Sequence, residues 1–176
     1  MENPNANSKK IILNYGVILG VISILLGVIM YVTNAYLNPS FIYTVVGFLI
    51  LAGVIWMGTD AYKKENGGFL SVKEALKIGV GIALIGGILG ALWMLLLIFV
   101  IEPDYMSQMS DLQREQMMES FPDMPQSQID QSMEMAGKFS SPWIITAVSL
   151  IGNIFFGFLI ALVVGFIKRN KNPYEA

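Results

Sequence analysis

Apolar residues run along this chain in three long stretches separated by polar blocks. No Asp, Glu, Lys or Arg occurs between Lys10 and Asp60, between Lys77 and Glu102, or between Lys138 and Lys168. A helix that crosses a bilayer needs about 20 apolar residues at a rise of about 1.5 Å each. The first stretch is too long for one such helix, and Asn34-Ala-Tyr-Leu-Asn-Pro-Ser40 interrupts it. Asn38-Pro39 is a turn signal, because proline disfavours helical geometry in the residue before it. The pattern therefore predicts four spans, at 11–33, 41–58, 78–101 and 143–167. The first is expected to stay uncleaved, since a secretory signal core is only about 7–15 residues long.

The polar blocks carry helical signals of their own. Asn66-Gly67-Gly68 reads as a helix stop, with residues that tolerate left-handed geometry. Ser71-Val-Lys-Glu74 reads as a capping box, so the third helix is expected to start at Ser71, ahead of its apolar stretch. Residues 71–101 as one helix measure about 46 Å against a hydrocarbon core of about 30 Å, which leaves Lys73 and Lys77 to snorkel at headgroup level. On a helical wheel, 104–120 puts Tyr105, Met106, Met109, Leu112 and Met117 on one half. Asp104, Asp111, Arg114, Glu115 and Glu119 take the other, with Met118 out of place. Phe121-Pro122-Asp123-Met124-Pro125 breaks this helix, and Pro125 suits the first position of the next. In that helix Ile129, Met133 and Ala136 share a face opposite Asp130, Glu134 and Lys138, and Gly137 suits its end. The predicted fold class is all-α: an integral membrane four-helix bundle with an amphipathic helical hairpin, about 104–138, in the long loop between the third and fourth spans.

Composition agrees. Of 176 residues, 55% are hydrophobic and 14% charged, against about 25% charged in a soluble domain. Lys and Arg are distributed unevenly. Nine lie in the N-terminal tail, the 59–77 loop and the tail from Lys168, and two lie in 102–142. The positive-inside rule places both termini in the cytoplasm and 102–142 outside. The outer loop has 8 acids, which disfavours nucleic acid as a partner. Trp143 and Tyr105 suit the outer interface, and Tyr62 the inner one.

The chain has no His and no Cys. That excludes His-based nucleophile triads and the usual zinc, haem and iron–sulfur ligation. No cofactor and no enzymatic activity are expected. Seven of the 11 methionines fall in the outer loop. Met106, Met109, Met133 and Met135 are thioethers that could hold Cu(I), a soft ion. Flexible apolar packing explains them more simply, and no copper binding is expected.

No Asp, Glu, Lys, Arg or His lies within a span, so no proton relay is predicted. Small residues recur at fourfold spacing, at Gly16/Gly20, Gly86/Gly90 and Gly157/Ala161/Gly165, as close helix contact requires. Asn153, with Ser149 one turn away, lies near the middle of the fourth span and needs a partner across a helix interface.

Three segments together resemble a known family. They are Gly67-Gly-Phe-Leu-Ser-Val-Lys-Glu-Ala-Leu-Lys-Ile-Gly79, Met133-Glu-Met-Ala-Gly-Lys-Phe-Ser-Ser-Pro142 and Phe166-Ile-Lys-Arg-Asn-Lys-Asn-Pro173. The chain resembles, over about 11–173, the bacterial membrane family called domain of unknown function 4199. The resemblance implies a four-helix inner-membrane protein and carries over no activity or site residue. The expected role is structural or accessory, in contact with the lipid bilayer and with a second copy or a membrane-protein partner through the outer hairpin. The alternative is a subunit of an oligomeric small-solute channel or transporter, because four such helices leave little room for a private cavity.

Overall fold

The computed structural model describes residues 7–170. Its elements are α1 (Ser8–Val32), α2 (Phe41–Glu65), α3 (Val72–Leu96), a π-helical turn (Leu97–Ile101), α4 (Tyr105–Ser120), α5 (Gln126–Phe139) and α6 (Pro142–Lys168). The helices α1, α2, α3 with its π turn, and α6 are long and apolar enough to cross a membrane. This is the all-α bundle expected, with two shorter helices between the third and fourth long ones. Lys171, counted above among the tail cations, lies outside the described residues, as do Asn172 and Pro173.

Helix ends follow local chemistry. Asn7 caps α1 through its side-chain oxygen, which accepts from the Lys10 amide at 3.1 Å. Ser71 and Glu74 form the predicted capping box at the start of α3. Ser141 caps α6 ahead of Pro142 at its first position, where a missing N–H costs nothing. Gly67 and Gly68 take φ of +67° and +87°, a left-handed path that turns the chain from α2 into α3.

Several boundaries differ from expectation. Helix α2 continues past Gly58 to Glu65, because Thr59 and Tyr62 extend the buried face begun by Leu51 and Ile55. The charges there ride on the helix, with Lys64 and Asp60 paired at i,i+4. Pro125 is the cap rather than the first residue of α5, and α5 passes through Gly137 to end at Ser140, whose hydroxyl donates to the Ala136 carbonyl. Tyr62 and Tyr105 lie in the interior rather than in an interfacial belt, at 0% and 4% exposure.

α3 is the hub. α1 and α6 pack along it most extensively, and α2 meets α1, α3 and α6. The core is concentrated at the end that carries the α2–α3 turn, here called the basic end. Ile55, Tyr62, Leu70, Ala75, Ile78, Ile82 and Ala83 are all fully buried there. At the opposite, hairpin end, a smaller cluster of Leu97, Ile98 and Tyr105 gathers Tyr31, Tyr36 and Met94. The π turn faces Leu97 and Ile98 into that cluster. The Tyr36 hydroxyl donates to Gln108 Oε1 at 3.1 Å, and Gln108 Nε2 donates to Glu102 at 2.7 Å. Burial, with Glu102 nearby, pushes the Tyr36 phenol above its ordinary range, and burial does the same for Tyr105.

Candidate functional site

Small residues set the spacing between α3 and α6. Gly157, Ala161 and Gly165 are buried against Ala83, Gly79 and Ala75 of α3. A Cβ built on Gly157 would overlap the Ala83 methyl, and one on Gly79 would overlap that of Ala161. Helices this close gain dispersion along their whole length. The predicted face is thus used inside the chain, and substitutions on it act on the chain's own fold. Of the other pairs, Gly16 and Gly20 receive Ile85 and Leu89, and Gly86 receives Leu19. Gly90 meets nothing within 4 Å.

One turn above this contact, Asn153 finds the partner its depth demands. Its Nδ2 donates to the Ala83 carbonyl at 2.7 Å. Gly87 leaves room for that bond, since its absent Cβ would stand 2.9 Å from the same nitrogen. An interhelical bond of this kind contributes about 0.6–2 kcal/mol in a bilayer.

Between Asn153 and the hairpin end the helices separate, leaving a cleft of about 290 Å³. Its floor is α3, from Gly86 to Met94. Ser23 of α1 lines one side, and Thr146, Ser149 and Asn153 of α6 line the other. α2 contributes no lining residue, and its Val45, Phe48 and Leu49 are exposed. The little room expected for a private cavity proves to be this cleft, open along one side, although glycine contacts reach into this half too, where Gly27 of α1 receives Trp93. Asn153 and Ser149 do come together in this cleft. Sequence reasoning missed Ser23 and Trp93, although Ser23 lies one turn from Gly20 on the inward face of α1.

The hairpin supplies a second concavity. Met106 and Met109 of α4 and Met133 of α5 line one cavity of about 210 Å³, with Ser110, Gln113 and Ser140. Met135 lies on another face of α5, 60% exposed, and does not join them. Met118 is exposed, as its place on the wheel implied. Arg114 pairs with Asp130 across the two helices, on surfaces where ion pairs contribute little. Changing Met106, Met109 and Met133 together to Leu keeps volume and polarity. It is expected to cost less than about 1.5 kcal/mol, read as a small shift in thermal unfolding. A large loss would mean that the sulfur atoms, rather than their bulk, hold this hairpin together.

At the basic end two of the three segments that carry the resemblance to a family, 67–79 and the described part of 166–173, converge. Leu70 and Asn170 exchange backbone hydrogen bonds at 3.0 and 2.9 Å, and Asn170 Nδ2 donates to the Gly68 carbonyl at 3.0 Å. Lys168 Nζ reaches Asp60 at 2.9 Å and lies 3.9 Å from the Trp56 ring centroid. Lys63 Nζ donates to the Lys168 carbonyl at 2.9 Å. Among the described residues, no group of three or more acidic side chains is placed to hold a metal ion.

Comparison with known proteins agrees with this architecture. No curated protein and no solved structure matches the chain. The profile of one family, described as Protein of unknown function (DUF4199), matches residues 14–170, from the first turns of α1 to the Asn170 that pairs with Leu70. The chain, with its four candidate membrane spans, belongs to the DUF4199 family.

Proposed function

We propose that this is a non-enzymatic, accessory protein of the bacterial inner membrane that engages a protein partner, or a second copy of itself, through its hairpin. Its basic end faces the cytoplasm and its hairpin the outside. The observation that carries the reading is the outer surface of α4 and α5. Met118, Phe121, Met135 and Phe139 are 47–69% exposed there, on a segment too polar to enter the bilayer. Apolar groups left in water beyond the spans are costly unless something covers them. The orientation rests on the excess of Lys and Arg at the basic end.

One labelling experiment tests both parts. Cysteines are placed singly at Lys64, Asp123, Phe121 and Met135 and treated with a membrane-impermeant thiol reagent. In spheroplasts Asp123→Cys is expected to react, and Lys64→Cys only after the membrane is opened. Phe121→Cys and Met135→Cys should react slowly in the membrane and as fast as Asp123→Cys in the purified monomer. The opposite sidedness would overturn the orientation. Equal rates at all three hairpin positions in both settings would dispose of the covered surface.

The cleft favours the alternative, a subunit of an oligomeric solute pathway, because it sets Ser149 and Asn153 among other polar groups. Against it, the packed core at the basic end lies directly below, where Ile78, Ile82, Ala83 and Ala161 are fully buried.

A further inference from the structure

The hydroxyls of the bundle differ in their partners, and Thr44 of α2, exposed and outside the cleft, makes no bond onto its helix among the described residues. Thr59 and Thr146 turn back onto carbonyls one turn earlier on their own helices, at 2.8 and 2.7 Å. That is how a hydroxyl is satisfied inside a membrane helix. Ser23 and Ser149 make no such bond among the described residues, and both line the cleft. Trp93 lines the cleft with its ring, while its indole nitrogen is packed so closely against α1 that a Cβ on Gly27 would overlap it. Asn153 donates its amide N–H to Ala83 and keeps its Oδ1 as an acceptor. The cleft therefore offers the Asn153 Oδ1 as acceptor, the second N–H of the same amide as donor, and two hydroxyls that can serve as either.

Three features narrow what would meet them. No lining residue is charged, so nothing here offsets the desolvation of a phosphate or an ion. The site is open, for Ser149 is exposed and Gly90 has no neighbour within 4 Å. The opening lies within the span, where the surrounding medium is lipid rather than water. Below the cleft the packed core closes the way onward, so an occupant enters and leaves by the same side. A volume of about 290 Å³ accommodates a glycerol-sized head and the first carbons of its chains, but not whole acyl tails.

We infer that the cleft is a binding site for the head of an uncharged, hydroxyl-bearing lipid of the diacylglycerol type, which enters from the bilayer with its tails left outside. The hydroxyl and ester oxygens of such a head match the donor and acceptors in number and kind. A phospholipid with the same tails lacks a counter-charge in the site and is refused.

The test uses the full chain in phosphatidylethanolamine nanodiscs with a photoactivatable diacylglycerol. A Cβ at Gly90 meets nothing within 4 Å, so Gly90→Leu extends into the open cleft, and Ser149→Leu removes a hydroxyl from an exposed position, so both variants should fold. Covalent adducts are expected on peptides spanning 86–94 and 146–153, reduced by about tenfold in either variant, with thermal unfolding unchanged. A photoactivatable phosphatidic acid with the same tails should leave these peptides unlabelled. Equal labelling by the two probes, labelling that survives Gly90→Leu, or no diacylglycerol adduct at these peptides would each overturn the proposal.

Discussion

Gly157→Leu is expected to leave little folded protein, whereas Gly152→Leu on the same helix should unfold at the temperature of the parent. The two glycines are five residues apart in α6 and differ in what surrounds them. A Cβ at 157 would overlap the Ala83 methyl, with Ala83 Cα and the Gly79 carbonyl oxygen 3.8 Å away. Two of those three atoms are backbone, so relief requires α3 and α6 to move apart. Separation would loosen the Asn153 bond and the Ala161–Gly79 contact together. Overpacking a core costs about 1–3 kcal/mol and more when backbones must shift, so a loss of roughly 3 kcal/mol or more is expected for Gly157→Leu. At 152 a Cβ meets nothing within 4 Å. Tryptophan fluorescence on heating, with gel filtration in mild detergent, reads both variants. Similar losses in the two would remove the small-residue contact from the account of this fold.

Tyr62 gives the second large effect. Its ring is fully buried, in the same cluster as Leu70, Ala75 and Ile78. Its hydroxyl donates to Glu74 Oε1 at 2.8 Å. Glu74 also accepts from the Ser71 amide and hydroxyl, both at 2.7 Å, and from Asn66 Nδ2 at 3.3 Å. One tyrosine thus ties the last turn of α2 to the first turn of α3. Tyr62→Ala opens a cavity at the best-packed point of the molecule and is expected to cost about 3–5 kcal/mol. Tyr62→Phe keeps the ring and loses one hydrogen bond to a carboxylate that retains three other donors. About 1–2 kcal/mol is expected for it. Denaturation of both variants separates the contribution of the ring from that of the hydroxyl. If Tyr62→Phe were as costly as Tyr62→Ala, the hydroxyl would be the dominant link.

The four long helices were legible because charge is excluded from the hydrocarbon, so gaps between charged residues mark membrane depth. The wheel over 104–120 was legible for the same kind of reason. Tyr105, Met106, Met109, Leu112 and Met117 are the less exposed side of α4. That logic failed where charges ride on a helix that continues. Asp60, Lys63 and Lys64 suggested an end, yet Tyr62 between them is fully buried. The Gly157/Ala161/Gly165 face and the need of Asn153 for a partner could be read from spacing and depth. Which helix would receive them could not. The cleft was illegible, because it depends on where α1 and α6 part from α3. Side-chain identity along one helix does not encode that separation. Ser23 and Trp93 become neighbours of Asn153 only through it.

The place of α3 as hub bears on how the chain is assembled. A membrane protein is delivered from its N-terminus, so α1 and α2 enter the bilayer before the helix that holds them together exists. Their mutual contact is far less extensive than the contact of α1 with α3, and the pair must wait, loosely associated, until α3 is inserted. Once it is, the glycine notches of α1 can close on Ile85 and Leu89. The α6 side of α3 stays unfilled while the whole hairpin is synthesised. Only when Lys168 and Asn170 emerge can the last helix be pinned to the turn between α2 and α3. These contacts at the end of α6 thereby close the bundle only after every earlier helix is in place.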